Sequence, residues 1–166
     1  HTDGVTITNS DVSNFTTGVY LASGKNYRIA GNHFHDNPGF ATAKGVGIYV
    51  DYVTNVTYTS EGYPVSNVTV TGNTFRNNGS AVPGFAVLLS GSSVKSPDVI
   101  SGITIDANVF DNNASTAIFT DTPASFSNVF VGPTNLFKGA AQTTRMNAAT
   151  TTLAGPFQMD ASGNMI

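Results

Sequence analysis

The strongest constraint on the fold is a nine-residue phrase that returns with variation. It reads Ile29-Ala30-Gly31-Asn32-His33-Phe34-His35-Asp36-Asn37, then Val70-Thr71-Gly72-Asn73-Thr74-Phe75-Arg76-Asn77-Asn78, then Ile105-Asp106-Ala107-Asn108-Val109-Phe110-Asp111-Asn112-Asn113. A weaker copy opens the chain at Ile7-Thr8-Asn9-Ser10-Asp11-Val12, and a degenerate one follows at Val131-Gly132-Pro133-Thr134-Asn135-Leu136-Phe137. Self-similarity at one phase marks a stack of structural repeats, each too small to bury its own apolar face.

Within the phrase and just before it, Val68 and Val70 alternate with Thr69 and Thr71, and Ile103 and Ile105 with Thr104 and Asp106. A period of two predicts strands with one face buried, and Val, Ile and Thr suit such strands. Gly-Asn then turns the chain, because both residues tolerate backbone angles that others resist. A second apolar run follows each copy: Gly18-Val19-Tyr20-Leu21, Gly47-Ile48-Tyr49-Val50, Ala86-Val87-Leu88-Leu89 and Ala117-Ile118-Phe119-Thr120. Each repeat is therefore expected to supply two short strands. From Ser10 through Asn32, Asn73 and Asn108 to Asn135, the key polar position advances by 22, 41, 35 and 27 residues. The shortest step predicts a bare rung, and the longer ones a rung with a loop inserted at its edge.

Equivalent positions on adjacent rungs would stack about 4.8 Å apart. Ser10, Asn32, Asn73, Asn108 and Asn135 would form a polar ladder inside a turn, each amide bonding the next rung. Val12, Phe34, Phe75, Phe110 and Phe137 would form an apolar column beside it. On these residues the chain resembles the right-handed parallel β-helix proteins of the pectate lyase superfamily, over residues 3–137. The resemblance implies an all-β fold: a right-handed parallel β-helix of about five rungs over residues 1–138, with edge loop insertions. Residues 139–166 lose the phrase and are expected to form a C-terminal cap or subunit-contact tail, with one more strand near Thr150-Thr151-Thr152-Leu153. A β-sandwich would not repeat Asn and Phe at one phase, and the abundance of Gly and β-branched residues opposes helices.

Composition narrows the function. Charged residues make up 10% of the chain, well below the usual share, and the net charge is −3. There is no basic run, so the electrostatic footprint of a nucleic-acid binder is missing. Polarity comes instead from Asn, Thr and Ser, which suits contact with neutral sugars or another protein. With no cysteine, the chain has no disulfide, thiolate metal site or cysteine nucleophile. No apolar stretch reaches membrane-spanning length, so helical membrane insertion is not expected. The repeat starts almost at His1, and solenoids need capped ends, so a piece of a longer chain, or a stack capped by a partner, is expected. Asn-x-Ser/Thr sequons at Asn14, Asn55, Asn67, Asn78 and Asn113 follow from this Asn-, Ser- and Thr-rich composition.

Function on a rigid scaffold usually sits in its loops. Insertions are expected at about Pro38 to Val46, Asp51 to Pro64 and Gly91 to Val99. Tyr49, Tyr52, Tyr58 and Tyr63 are the candidate saccharide-binding residues, since an aromatic ring pairs an apolar face with a polar edge. The same rings would equally serve to pack a loop down.

Two alignments offer catalytic candidates. His35, Arg76 and Asp111 share a column on adjacent rungs, which suits a surface ladder of ion pairs. Polysaccharide lyases of the superfamily that the chain resembles use a basic side chain to take a proton beside a uronate, and the resemblance casts His35 or Arg76 in that role. Asp51 and Asp121 share another column two rungs apart, about 9.5 Å if the rungs stack evenly. Inverting glycosidases hold their carboxyls about 6.5–9.5 Å apart, so this pair permits a hydrolase, with Glu61 as a third acid. Aspartate ending a strand is also an ordinary turn residue.

His33 and His35 lie on one face of a strand, but only Asp36 presents itself as a third ligand, so no metal site and no cofactor are expected. Two functional readings remain. One is a carbohydrate-engaging segment of a phage tailspike or of a bacterial surface or secreted protein, binding a polysaccharide and, if catalytic, cleaving it as a hydrolase or lyase. The tailspike resemblance implies self-association as a homotrimer and an extracellular, cell-surface or virion-associated setting. The other is a non-catalytic structural or adhesive spacer.

Overall fold

The computed structural model describes residues 2–40, 43–52, 64–80, 84–91, 94, 98–113, 116–120, 126–138, 142–145 and 151–153. Three parallel sheets run along the stack. The first sheet orders Thr6–Thr8, Gly24–Ala30, Val65–Thr71, Ile100–Asp106, Phe126–Val131 and Thr151–Leu153. A second sheet orders Asp11–Ser13, His33–His35, Thr74–Arg76, Val109–Asp111 and Leu136–Lys138. The third orders Thr17–Leu21, Val46–Val50, Phe85–Leu89, Thr116–Thr120 and Gln142–Arg145. Five rungs are complete, and Thr151–Leu153 opens a sixth. This is the expected parallel β-helix.

Each rung holds three strands rather than the expected two. The phrase itself bends at its first asparagine, and the Phe triplet after the bend is a strand of its own. Three residues are too few for a period of two to announce them. The stack also runs past residue 138, where the phrase disappears. Gln142–Arg145 pairs with Thr116–Thr120, and Thr151–Leu153 pairs with Phe126–Val131. Backbone pairing needs no particular side chain, so it outlasts the sequence repeat.

Both bends use the same device. At the first, Asn9, Gly31, Gly72 and Ala107 have φ of +51°, +67°, +64° and +56°. At the second, Asn14, Asp36, Asn77 and Asn112 have φ of +63°, +49°, +51° and +50°. Asn, Asp and Gly are the residues that accept this left-handed region. Behind each bend sits a buried asparagine. The expected ladder runs through Asn32, Asn73, Asn108 and Asn135, with the Ser10 N–H donating to Asn32 Oδ1 at its end. A second ladder, through Asn37, Asn78 and Asn113, ends where the Phe15 N–H donates to Asn37 Oδ1. The sequons at Asn78 and Asn113 are thus inside the fold.

Between the two ladders runs the apolar column. Phe34, Phe75, Phe110 and Phe137 stack with ring centroids 5.2, 5.0 and 5.0 Å apart. Val68, Val70, Ile103, Ile105, Ile48, Val87 and Ile118 close the interior from the other two sheets.

Candidate functional site

An outward-facing position on a solenoid strand is ordinarily polar. Along the third sheet it is not. Ile48 and Val50 point into the interior cluster, so Tyr49 between them points out. Its register column is Tyr20, Tyr49, Leu88 and Phe119. Val46, Phe85 and Leu88 form a second buried cluster, distinct from the interior one, with Tyr49 and Phe119 packed on it. Phe85 and Phe119 stack at 4.7 Å. This sheet is therefore apolar on both faces.

The column ends at Tyr20, which is half exposed. Its ring lies 5.1 Å from that of Tyr49, tilted by 55°. Its hydroxyl donates to Asp51 Oδ2 at 2.8 Å. Asp51 Oδ1 accepts the Tyr52 N–H at 2.8 Å, so both carboxylate oxygens are engaged. Burial, then the Asp51 carboxylate, holds the Tyr20 phenol protonated well above the ordinary phenol range. Two rings and one fixed carboxylate thus form a ledge beside the point where the longest insertion leaves the third sheet.

Of the expected saccharide-binding tyrosines, Tyr49 belongs to this ledge. Tyr52 does not. It is almost fully buried in the interior cluster and donates its hydroxyl to Asp98 Oδ2 at 2.6 Å. Its ring is part of the core and is not available to a sugar. Tyr58 and Tyr63 lie outside the described residues. So do Glu61 and Asp121. Val50 and Thr120, which precede the two aspartates, do share a column two rungs apart.

The expected column of His35, Arg76 and Asp111 is present on the outer face of the second sheet, extended by Ser13 and Lys138. His35 is flanked by two carboxylates: its Nδ1 is 2.7 Å from Asp36 Oδ2 and its Nε2 is 2.7 Å from Asp11 Oδ1. The bond to Asp36 is the largest cause raising the imidazole pKa above its ordinary value; burial opposes it, and the bond to Asp11 and the two carboxylate charges add to the rise. The partner effect lowers Asp36, through its bonds with His35 and Asn77. A general base must be free of its proton, and two anions beside it would repel a uronate. This surroundings work against His35 as a lyase base.

His33 lies beside His35, ring centroids 4.3 Å apart, with Nδ1 3.6 Å from Asp11 Oδ2. Donor atoms of Asp11, His33 and His35 fall within 4.8 Å of one another.

Tyr20 escaped the sequence reading, although Tyr20 and Tyr49 occupy one position in two successive apolar runs. That coincidence was the available signal. A family model described as a right handed beta helix region matches residues 1–132. No curated protein and no solved structure matches the chain.

Proposed function

The chain belongs to the right-handed β-helix family, and on that premise we propose that it engages a neutral saccharide on the outer face of its third sheet. The observation that carries this reading is the ledge of Tyr20, Tyr49 and Asp51. Aromatic rings pack on the apolar face of a pyranose while their edges and hydroxyls stay wet. A carboxylate fixed beside them accepts sugar hydroxyls and sets orientation. The low charge of the chain agrees with a neutral ligand. Cleavage would need a second carboxyl near Asp51, and Asp121 and Glu61 are the acids to test for it. A homotrimeric, secreted, cell-surface or virion-associated protein is the setting that we propose with this activity, on the strength of the tailspike resemblance.

The spacer reading draws on a different observation, the pair of asparagine ladders that join the first five rungs. One experiment separates the two. Neutral oligosaccharides are titrated against the chain by NMR, with reducing ends assayed on the same samples and unsaturated uronates assayed separately on a uronate-containing polysaccharide. Saccharide engagement predicts shifts at Tyr20 and Tyr49, lost in Tyr20→Ala while circular dichroism is unchanged. No shift with any saccharide, from a folded sample, sinks the proposal and leaves the spacer.

A further inference from the structure

We propose that Asp11, His33 and His35 bind a divalent transition-metal ion, for which Zn²⁺ is the best match. The site lies on the second sheet, away from the saccharide ledge, and does not depend on it. His33 and His35 flank Phe34 on one three-residue strand. Phe34 is fully buried and stacked in the interior column, so both imidazoles project outward from a clamped strand. Asp11 stands opposite His33 on the preceding rung. Its two oxygens lie 2.7 Å from His35 Nε2 and 3.6 Å from His33 Nδ1. Tetrahedral coordination at about 2.0–2.1 Å sets neighbouring ligand atoms about 3.3 Å apart, between those two distances.

The surroundings favour a metal further. Histidine ligands usually donate their other ring N–H to a carboxylate, which fixes the tautomer and the ring plane. Asp36 occupies that position on His35, 2.7 Å from Nδ1, and its other oxygen accepts from Asn77 Nδ2 at 3.1 Å. With the proton held on Nδ1, Nε2 presents its lone pair toward Asp11. A metal ion there takes the place of the proton that His35 and Asp11 otherwise share, and that proton is released. Two imidazoles and one carboxylate select a borderline ion such as Zn²⁺ over Ca²⁺ or Mg²⁺, which prefer all-oxygen sets. Asp11 and His33 also line an open depression of about 350 Å³ together with Asn9, Gly31, Gly72 and Thr74, so water or a ligand atom can complete the shell.

Asp11 is 22 residues from His33. That is one bare rung, which is why the sequence offered Asp36 beside the two histidines and not Asp11.

The test is a calorimetric titration of the full chain with ZnCl₂. It uses His1→Ala, so that His33 and His35 are the remaining histidines of the chain's three. One ion per chain is expected, with no saturable binding in His33→Gln, His35→Gln or Asp11→Asn, each checked for folding by circular dichroism. Asp36→Asn should weaken binding about 10- to 100-fold. In ¹⁵N spectra of the His1→Ala chain, Zn²⁺ should shift His35 Nε2 while Nδ1 keeps its proton. The absence of saturable binding in folded His1→Ala would overturn the site. So would unchanged binding in His33→Gln and His35→Gln, or ring nitrogens that do not respond to the ion.

Discussion

Asn73 and Asn108 are 35 residues apart in sequence and joined twice: the backbone N–H and the side-chain amide of Asn73 both donate to Asn108 Oδ1, at 3.0 Å each. The Asn108 amide in turn donates to the carbonyls of Val70 and Asp106. Asn108→Ala would strip partners from several buried groups at once. Each buried polar group left unpaired costs about 1–3 kcal/mol, so a total loss of about 3 kcal/mol or more is expected. Asn135→Ala, at the half-buried end of the ladder, should cost less. Urea unfolding midpoints of the two variants would check the order, and equal midpoints would refute a ladder that strengthens toward its middle.

The aromatic column predicts a similar gradient. Phe75 is fully buried between Phe34 and Phe110. Phe75→Ala should destabilise by about 3–5 kcal/mol, and Phe75→Leu by distinctly less, since the loss scales with the cavity left behind. Phe137→Ala should be milder than Phe75→Ala because Phe137 is only half buried. Thermal melts of the three proteins measure this directly.

Ala107 occupies the position held by Gly31 and Gly72 on earlier rungs, with φ of +56°. An L-residue with a Cβ pays about 1–2 kcal/mol in this region. Ala107→Gly relieves that strain and loosens the unfolded chain, so a net gain of up to about 1 kcal/mol is expected. The position is exposed, so no packing opposes the change. A lowered unfolding midpoint would contradict the strained turn.

Tyr52 makes the fold sensitive to alkali. Burial, then its bond to Asp98, pushes the phenol up to about 12 in the folded chain, against about 10 when unfolded. The contribution to stability is fully present below pH 10, where both states are protonated. It is lost as pH rises from about 10 through 12, because the unfolded chain ionises first. Tyr52→Phe cannot ionise and should flatten that decline. At pH 7 it should lose about 1–2 kcal/mol with the Asp98 bond. Denaturant melts from pH 8 to 12 on both proteins test the difference between them, and parallel curves would exclude Tyr52 as the titrating group.

Much of this architecture was legible in the chain. The phase of Asn32, Asn73, Asn108 and Asn135 announced the first ladder, and Phe34, Phe75, Phe110 and Phe137 announced the column beside it. The second ladder is spelled in the same phrase, at Asn37, Asn78 and Asn113. The bend after the Phe triplet, which buries those asparagines, carries no signal as regular as the strand alternation that marks the first sheet. Tyr52 misled for a related reason. An aromatic at the start of an insertion reads as a loop residue, and only the packing of neighbouring rungs turns its ring inward.

Left to itself, the sequence determined the repeating unit: which positions bend, which are apolar, and which asparagines bond rung to rung. Local backbone preference and a fixed repeat are enough for that, because every rung solves the same packing problem. Only the tertiary structure decided which distant side chains meet. The insertions make one rung 22 residues long and another 41, so distance along the chain carries no information about adjacency across rungs. Asp11 beside His33 and His35, and Tyr20 beside Tyr49 and Asp51, exist because parallel pairing imposes one register whatever the loop length.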